Sequence, residues 1–131
     1  MENPAALSDA HDVVRRFLVA RDNDDDFTEA AALTAPDVVW HSPINGPERG
    51  RDAVRRMLEE AREDTAWFHS DLYTLDARGN RVTAVVRNVG EREGKRLDSR
   101  QVLAFDVTYG EICEIRIFVD DPDAVKAFWN A

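Results

Sequence analysis

The sequence predicts an α+β domain: helices in the first half, then a four-stranded antiparallel meander that one short extra strand joins. Two observations predict this class. Apolar residues recur at helical spacing up to about Thr65 and at a period of two beyond it, and the later segments are joined by "ARGN", "GEREG" and "TYG", connectors of hairpin length. Connectors that short require antiparallel neighbours, because a parallel crossover needs a dozen residues or more.

Taken in order, Ser8 to Arg21 carries Ala10, Val13, Val14, Phe17 and Leu18 on one helical stripe, with Ser8 or Asp9 as its cap. The acidic break "DNDDD", Asp22 to Asp26, ends that helix and supplies capping carboxylates for a short second one bearing Phe27, Ala30, Ala31 and Leu33. Pro36 stops the second helix, and "DVVWHS" reads as a short strand. "PINGPERGRD" concentrates proline and glycine and reads as a loop. A third helix follows, with Ala53, Val54, Met57, Leu58 and Ala61 buried and charges of alternating sign outside. The four strands are drawn as Ala66–Asp76, Arg81–Val89, Arg96–Val107 and Glu111–Val119. "DDPDAVKAFW" sets Asp121 at an N-cap and Pro122 at the first helical position of a closing helix.

Composition narrows the function classes. A chain of 131 residues fits one domain spanning 1–131, and 44% hydrophobic with 33% charged residues matches neither a disordered nor a membrane-embedded chain. "MENPAALSDAH" lacks the basic start and apolar run of a secretory leader, so the expected location is cytoplasmic. A net charge of −9 repels phosphate backbones and anionic bilayers, which argues against nucleic acid and membrane partners. Cys113 is the sole cysteine and His11, His41 and His69 lack metal-site spacing, so neither disulfide, metal nor cofactor is expected.

The strand pattern sorts residues onto two faces. Val82, Ala84, Val86 and Asn88, then Ser99, Gln101, Leu103, Phe105 and Val107, then Cys113, Ile115, Ile117 and Val119 share one largely apolar face. The other collects Arg87, Arg100, Asp106, Glu114 and Arg116 around Val85, Val102 and Phe118, a mixture suited to a sheet-on-sheet homodimer or to a solvated monomer face.

"DVVWHSP", "GRDAVRRML", "GKRLDSRQVLAFDV" and "GEICEIRIFVDDPDAVKAFW" together resemble the SnoaL-like branch of the nuclear-transport-factor-two-like superfamily. The resemblance implies a curved sheet whose concave face, closed by three helices, forms a hydrophobic cone-shaped pocket, and a dimer through the convex face. It implies as ligand a small hydrophobic molecule, with Phe17, Trp40, Ser42, Phe68, Val86, Asn88, Ser99, Leu103 and Ile117 lining the cone. The ketosteroid isomerases of this superfamily need an aspartate, a tyrosine and a second aspartate where this chain has Ser42, Phe17 and Gln101. Serine is no base at neutral pH and phenylalanine no donor, while the Gln101 amide can still serve an oxyanion. The limonene-epoxide-hydrolase pattern needs an aspartate where Ile117 stands, and an arginine that parity puts, as Arg87, on the wrong face.

The remaining candidates for proton transfer are His41, His69, which shares its face with Trp67 and Tyr73, and Asp120, with Gln101 or Asn88 polarising an oxygen. Strict alternation turns His41 away from the face of Trp40 and Ser42, and a bulge before Pro43 would reverse it. Three functions therefore stand open: an isomerase, cyclase or lyase acting by proton transfer on a hydrophobic carbonyl or polyketide-like substrate, a binding module for an apolar metabolite, and an epoxide-hydrolase-like enzyme.

Overall fold

The computed structural model describes residues 4–23, 27–44 and 46–130. Its elements run α1 (Pro4–Asn23), α2 (Thr28–Ala32), β1 (Thr34–Ser42), β2 (Gly46–Arg49), α3 (Arg51–Glu63), β3 (Trp67–Arg78), β4 (Arg81–Arg92), β5 (Lys95–Thr108), β6 (Glu111–Val119) and α4 (Pro122–Trp129). The six strands form one sheet in the order β2-β1-β6-β5-β4-β3. The meander from β3 to β6 is antiparallel throughout, as the hairpin connectors require. At its open edge β1 lies parallel to β6 and pairs outward with β2.

The apolar stripe of α1 packs on the concave side of β4, β5 and β6. Ala10, Val13, Val14, Phe17 and Leu18 meet Val82, Ala84, Val86, Leu103, Phe105, Ile112 and Ile115 in one cluster. Phe17 and Phe105, each 1% exposed, touch edge to face with ring centroids 6.0 Å apart. A phenylalanine buried this completely stabilises the fold by about 3–5 kcal/mol relative to alanine. A second, smaller cluster of Leu97, Val125 and Phe128 seats α4. Asp121 caps that helix by accepting from the Ala124 amide at 3.1 Å, and Pro122 opens it. At the other end Lys95 Nζ reaches the Ala127 carbonyl at 2.8 Å and Arg92 Nη1 the Phe128 carbonyl at 3.1 Å.

Four local expectations change. The helix α1 begins at Pro4, so Ser8 and Asp9 lie within it rather than at its cap. The N-cap of α2 is Phe27, in a left-handed conformation with φ of 60° and no side-chain capping bond, while Asp24, Asp25 and Asp26 lie outside the described residues. Part of "PINGPERGRD" is a strand: β2 pairs with β1 because Pro47 and Pro43 still leave the edge enough amides for a short ladder. The inner face of β6 is Ile112, Ile115 and Ile117, because the β5–β6 register slips between Asp106 and Val107. Cys113 sits in that bulge, half-buried, with Sγ donating to the Asp106 carbonyl at 3.2 Å.

The convex face holds a ladder of charges. Arg81 and Arg116 both donate to Asp106, at 3.0 and 3.1 Å, and Arg116 also reaches Glu114 at 2.8 Å. Beside it Arg87 grips Asp98 through two bonds of 2.9 and 2.7 Å. That hydrogen-bonded pairing holds the Asp98 carboxyl below the usual carboxylate range. What stability the pair adds is therefore complete at neutral pH and lost as the pH falls through the lowered carboxyl value. The surface position keeps that contribution small.

Candidate functional site

The sheet curves around α1 at one end and leaves an open cavity of about 660 Å³ at the other. Its walls come from four directions. The sheet contributes Trp40, Ser42, Phe68, Ser70, Asn88, Gln101 and Ile117; the end of α1 and the turn beyond contribute Arg21, Asp22 and Phe27; α3 contributes Met57, Leu58, Glu60, Ala61, Arg62 and Asp64; and α4 with its cap contributes Val125, Trp129 and Asn130. Volume and mixed lining suit a small organic ligand.

Alternation along β1 decides which of its residues enter. Trp40 pairs with Ile115 and His41 with Arg116, so Trp40 and Ser42 look into the cavity and His41 looks out. The register shift of β1 lies upstream, between Thr34 and Val39, and not at Pro43. His41 Nε2 is 2.7 Å from Glu114 Oε1, the oxygen that Arg116 also contacts, so the imidazole belongs to the charge ladder of the convex face.

Of the other residues singled out in the sequence, Phe68, Asn88, Gln101 and Ile117 are in the wall. Phe17, Val86 and Leu103 are 1%, 1% and 2% exposed and fill the core beneath it. Ser99 is buried and donates to Asp120 at 3.1 Å; Asp120 itself is exposed, lies outside the cavity wall, and gives its amide to the Arg100 carbonyl. The structure thus keeps His41 and Asp120 apart from the cavity that Gln101 lines.

The sheet's polar groups in the wall form a short row. Ser70 Oγ donates to Asn88 Oδ1 at 2.6 Å, and Asn88 is only 5% exposed. That bond turns Asn88 Nδ2 toward the cavity, where no described residue accepts from it. Gln101 stands on the next strand, two residues beyond the register partner of Asn88, a diagonal spacing of about 7–8 Å that lets two amides converge. Its side-chain amide makes no hydrogen bond among the described residues. No carboxylate rises from this part of the sheet; those in the wall, Asp22, Glu60 and Asp64, come from helix ends.

The helix-end residues were missed in the sequence because each sits at the polar finish of an amphipathic stripe, which reads locally as solvated surface. His69 also borders the cavity, while its Nε2 lies 2.7 Å from Asp71 and two-thirds of the side chain is exposed.

The SnoaL-like domain model matches residues 14–115, most of the chain. The chain belongs to the SnoaL-like domain family. No curated protein matches the sequence. Among solved structures, this SnoaL-like chain is similar to Bal32a from a soil-derived mobile gene cassette, with 27% identity and a TM-score of 0.89 over 95% of this chain and 99% of that one. It is similar to an LEH-like epoxide hydrolase of M. tuberculosis at 22% identity and a TM-score of 0.78, over 94% and 91% of the two chains. It is also similar to a Catenulispora acidiphila protein of ketosteroid-isomerase-like fold, solved in complex with trimethylamine, at 15% identity and a TM-score of 0.72, over 81% and 83%. The last two likenesses show the fold that this SnoaL-like domain shares with enzymes and ligand-binding proteins, and no more.

Within the domain, Phe68 lies flat on Gly90. A Cβ at Gly90 would stand 2.7 Å from Phe68 Cδ2 and 3.1 Å from the Trp67 carbonyl, and Phe68 in turn packs on Trp129 at 6.0 Å. The variant Gly90→Ala is therefore expected to push Phe68 into the cavity, to cost about 1–3 kcal/mol in chemical unfolding, and to shift the Trp emission spectrum. An unchanged spectrum with wild-type stability would contradict this stacking.

Proposed function

We propose that this protein binds a small, largely apolar molecule in the cavity and orients it through one oxygen acceptor held by Asn88 Nδ2 and Gln101. The observation that carries the reading is Asn88: a nearly buried amide, turned by Ser70, with a donor facing open space. Asn88 Nδ2 is reachable from the cavity, and a ligand oxygen that takes the place of water on it gains a net hydrogen bond of about 0.5–1.5 kcal/mol. Trp40, Phe68, Ile117 and Trp129 supply the apolar walls. By calorimetric titration with para-propylacetophenone, Asn88→Ala and Gln101→Ala should each weaken binding about tenfold, while His41→Ala should leave it unchanged. Equal loss in all three variants would sink the reading.

A second reading is an isomerase, cyclase or lyase acting on the bound carbonyl compound by proton transfer, and it is favoured by the presence of Asp22, Glu60 and Asp64 in the same wall. A base within hydrogen-bonding reach of a polarised carbonyl removes an adjacent proton, so this reading requires one of these helix-end carboxylates to reach the carbon beside the oxygen held by Gln101. Incubated in deuterium oxide, the acetyl methyl group of the same probe would then exchange its protons faster with protein than without, and faster than with Gln101→Ala. Exchange at the background rate leaves the protein as a binder without chemistry.

The convex face suits a homodimer. Tyr73, Val102 and Phe118 are 50%, 37% and 57% exposed there, beside ion pairs that a two-fold related copy could meet in opposite sign. Sedimentation should report twice the 14.8 kDa chain mass, falling to the monomer in Phe118→Asp; a monomeric wild type would refute the dimer.

A further inference from the structure

The buried stripe of α1 runs on into the cavity. Ala10, Val13, Val14, Phe17 and Leu18 fill the core, and the next position of that stripe, four residues past Phe17 and three past Leu18, is Arg21. An arginine thus stands on the face that one turn earlier carries only apolar side chains. Its side chain is 14% exposed and lines the cavity wall, whereas Arg15, on the outer side of the same helix, is 60% exposed.

A guanidinium in that place brings five N–H donors. Nε reaches Asp22 Oδ1 at 3.2 Å, and the terminal nitrogens have no acceptor among the described residues. Two ordinary uses of such a residue are not taken up. A basic side chain in the last turn of a helix can bond the free carbonyls, as Lys95 and Arg92 do at α4, and Arg21 makes no such bond. An arginine can also spend two donors on one carboxylate, as Arg87 does on Asp98, while Asp22 takes a single donor from Arg21. The contact with Asp22 steadies the group and leaves its terminal donors unspent in the wall.

The surroundings decide what charge an acceptor there can bear. Asp22 offsets the charge of Arg21, and Glu60 and Asp64 border the same cavity with only Arg62 between them. The whole chain carries −9, which repels an anion at long range. An uncharged carbonyl oxygen needs donors alone, and a donor that is itself charged makes the stronger hydrogen bond.

Asn88 and Gln101 rise from the sheet, and Arg21 comes from the helix end that roofs it. We infer that Arg21 is a second anchor in the cavity, taking an uncharged carbonyl-type oxygen, so that the preferred ligand carries an acceptor at each end of an apolar body. This rests on the reading that Asn88 and Gln101 hold the first oxygen, and adds the residue that selects the far end.

Three acetophenones of nearly equal size separate the two claims by calorimetric titration: para-butyl, para-(3-oxobutyl) and para-carboxyethyl. The affinity of the oxobutyl compound relative to the butyl one should fall about tenfold in Arg21→Met, while the butyl affinity itself stays as in wild type. Arg21→Lys, which keeps a charged donor on a flexible stem, should restore part of that ratio. Asn88→Ala should weaken the butyl and oxobutyl compounds by the same factor. A ratio unchanged in Arg21→Met, with or without a common loss of affinity, overturns the inference, as does tightest binding of the carboxyethyl compound to the wild type. A ratio that falls in Arg21→Met, together with no effect of Asn88→Ala on either compound, would instead count against the first oxygen site and leave Arg21 standing. No binding of any of the three overturns both.

Discussion

The phase in which β1 joins β6 governs the rest of the site. β1 and its partner β2 stand outside the hairpin-linked meander, and β1 is the one that joins them to it. The faces of β1 are set only by the parallel register that puts Trp40 beside the fully buried Ile115 and His41 beside Arg116. A slip of one residue would bring an imidazole into the cavity and turn an indole out to the charged face. Two forces oppose that slip. Val38 is completely buried against the core, and the hydrogen bond between His41 and Glu114 is available only on the convex side. The irregularity in the pairing occurs before Val39, so its effect is complete by the time the chain reaches the site.

From this constraint the division of the molecule follows. At the end of the sheet where β4, β5 and β6 meet α1, side chains fill the concavity and Phe17 closes on Phe105. Toward the other end the sheet curves away, the core thins, and the space is roofed by the ends of α1 and α3 and by α4. The roof has a small core of its own, Leu97, Val125 and Phe128, and is tied down by two basic side chains from the β4–β5 hairpin. A short helix on so limited a base is expected to open locally at less cost than the main core. Opening of the cavity is therefore expected to be separable from global stability.

Much of this arrangement was legible in the chain. Alternation alone assigned Asn88, Gln101 and Ile117 to one face of the sheet, because β4 and β5 run without a slip through those positions. The same reasoning put Cys113 in the core in place of Ile112, since a bulge answers to the pairing partner and leaves no local mark. It also counted Phe17, Val86 and Leu103 as ligand contacts, because parity tells inner from outer but not how far along the concave face the packing stops. The family resemblance supplied the cone and the position of Ser42. It could not show that Arg21, Asp22, Glu60 and Asp64 meet there, since helix ends distant in sequence converge only once the sheet has curved.

A crystal structure of the complex with para-propylacetophenone tests most directly which polar atoms of the cavity hold the proposed ligand. The carbonyl oxygen should lie within hydrogen-bonding distance of Asn88 Nδ2 and Gln101, with the ring between Trp40 and Phe68 and His41 still on Glu114. A ligand oxygen bound to His41 or Asp120, or a ligand seated outside the cavity, would contradict that placement.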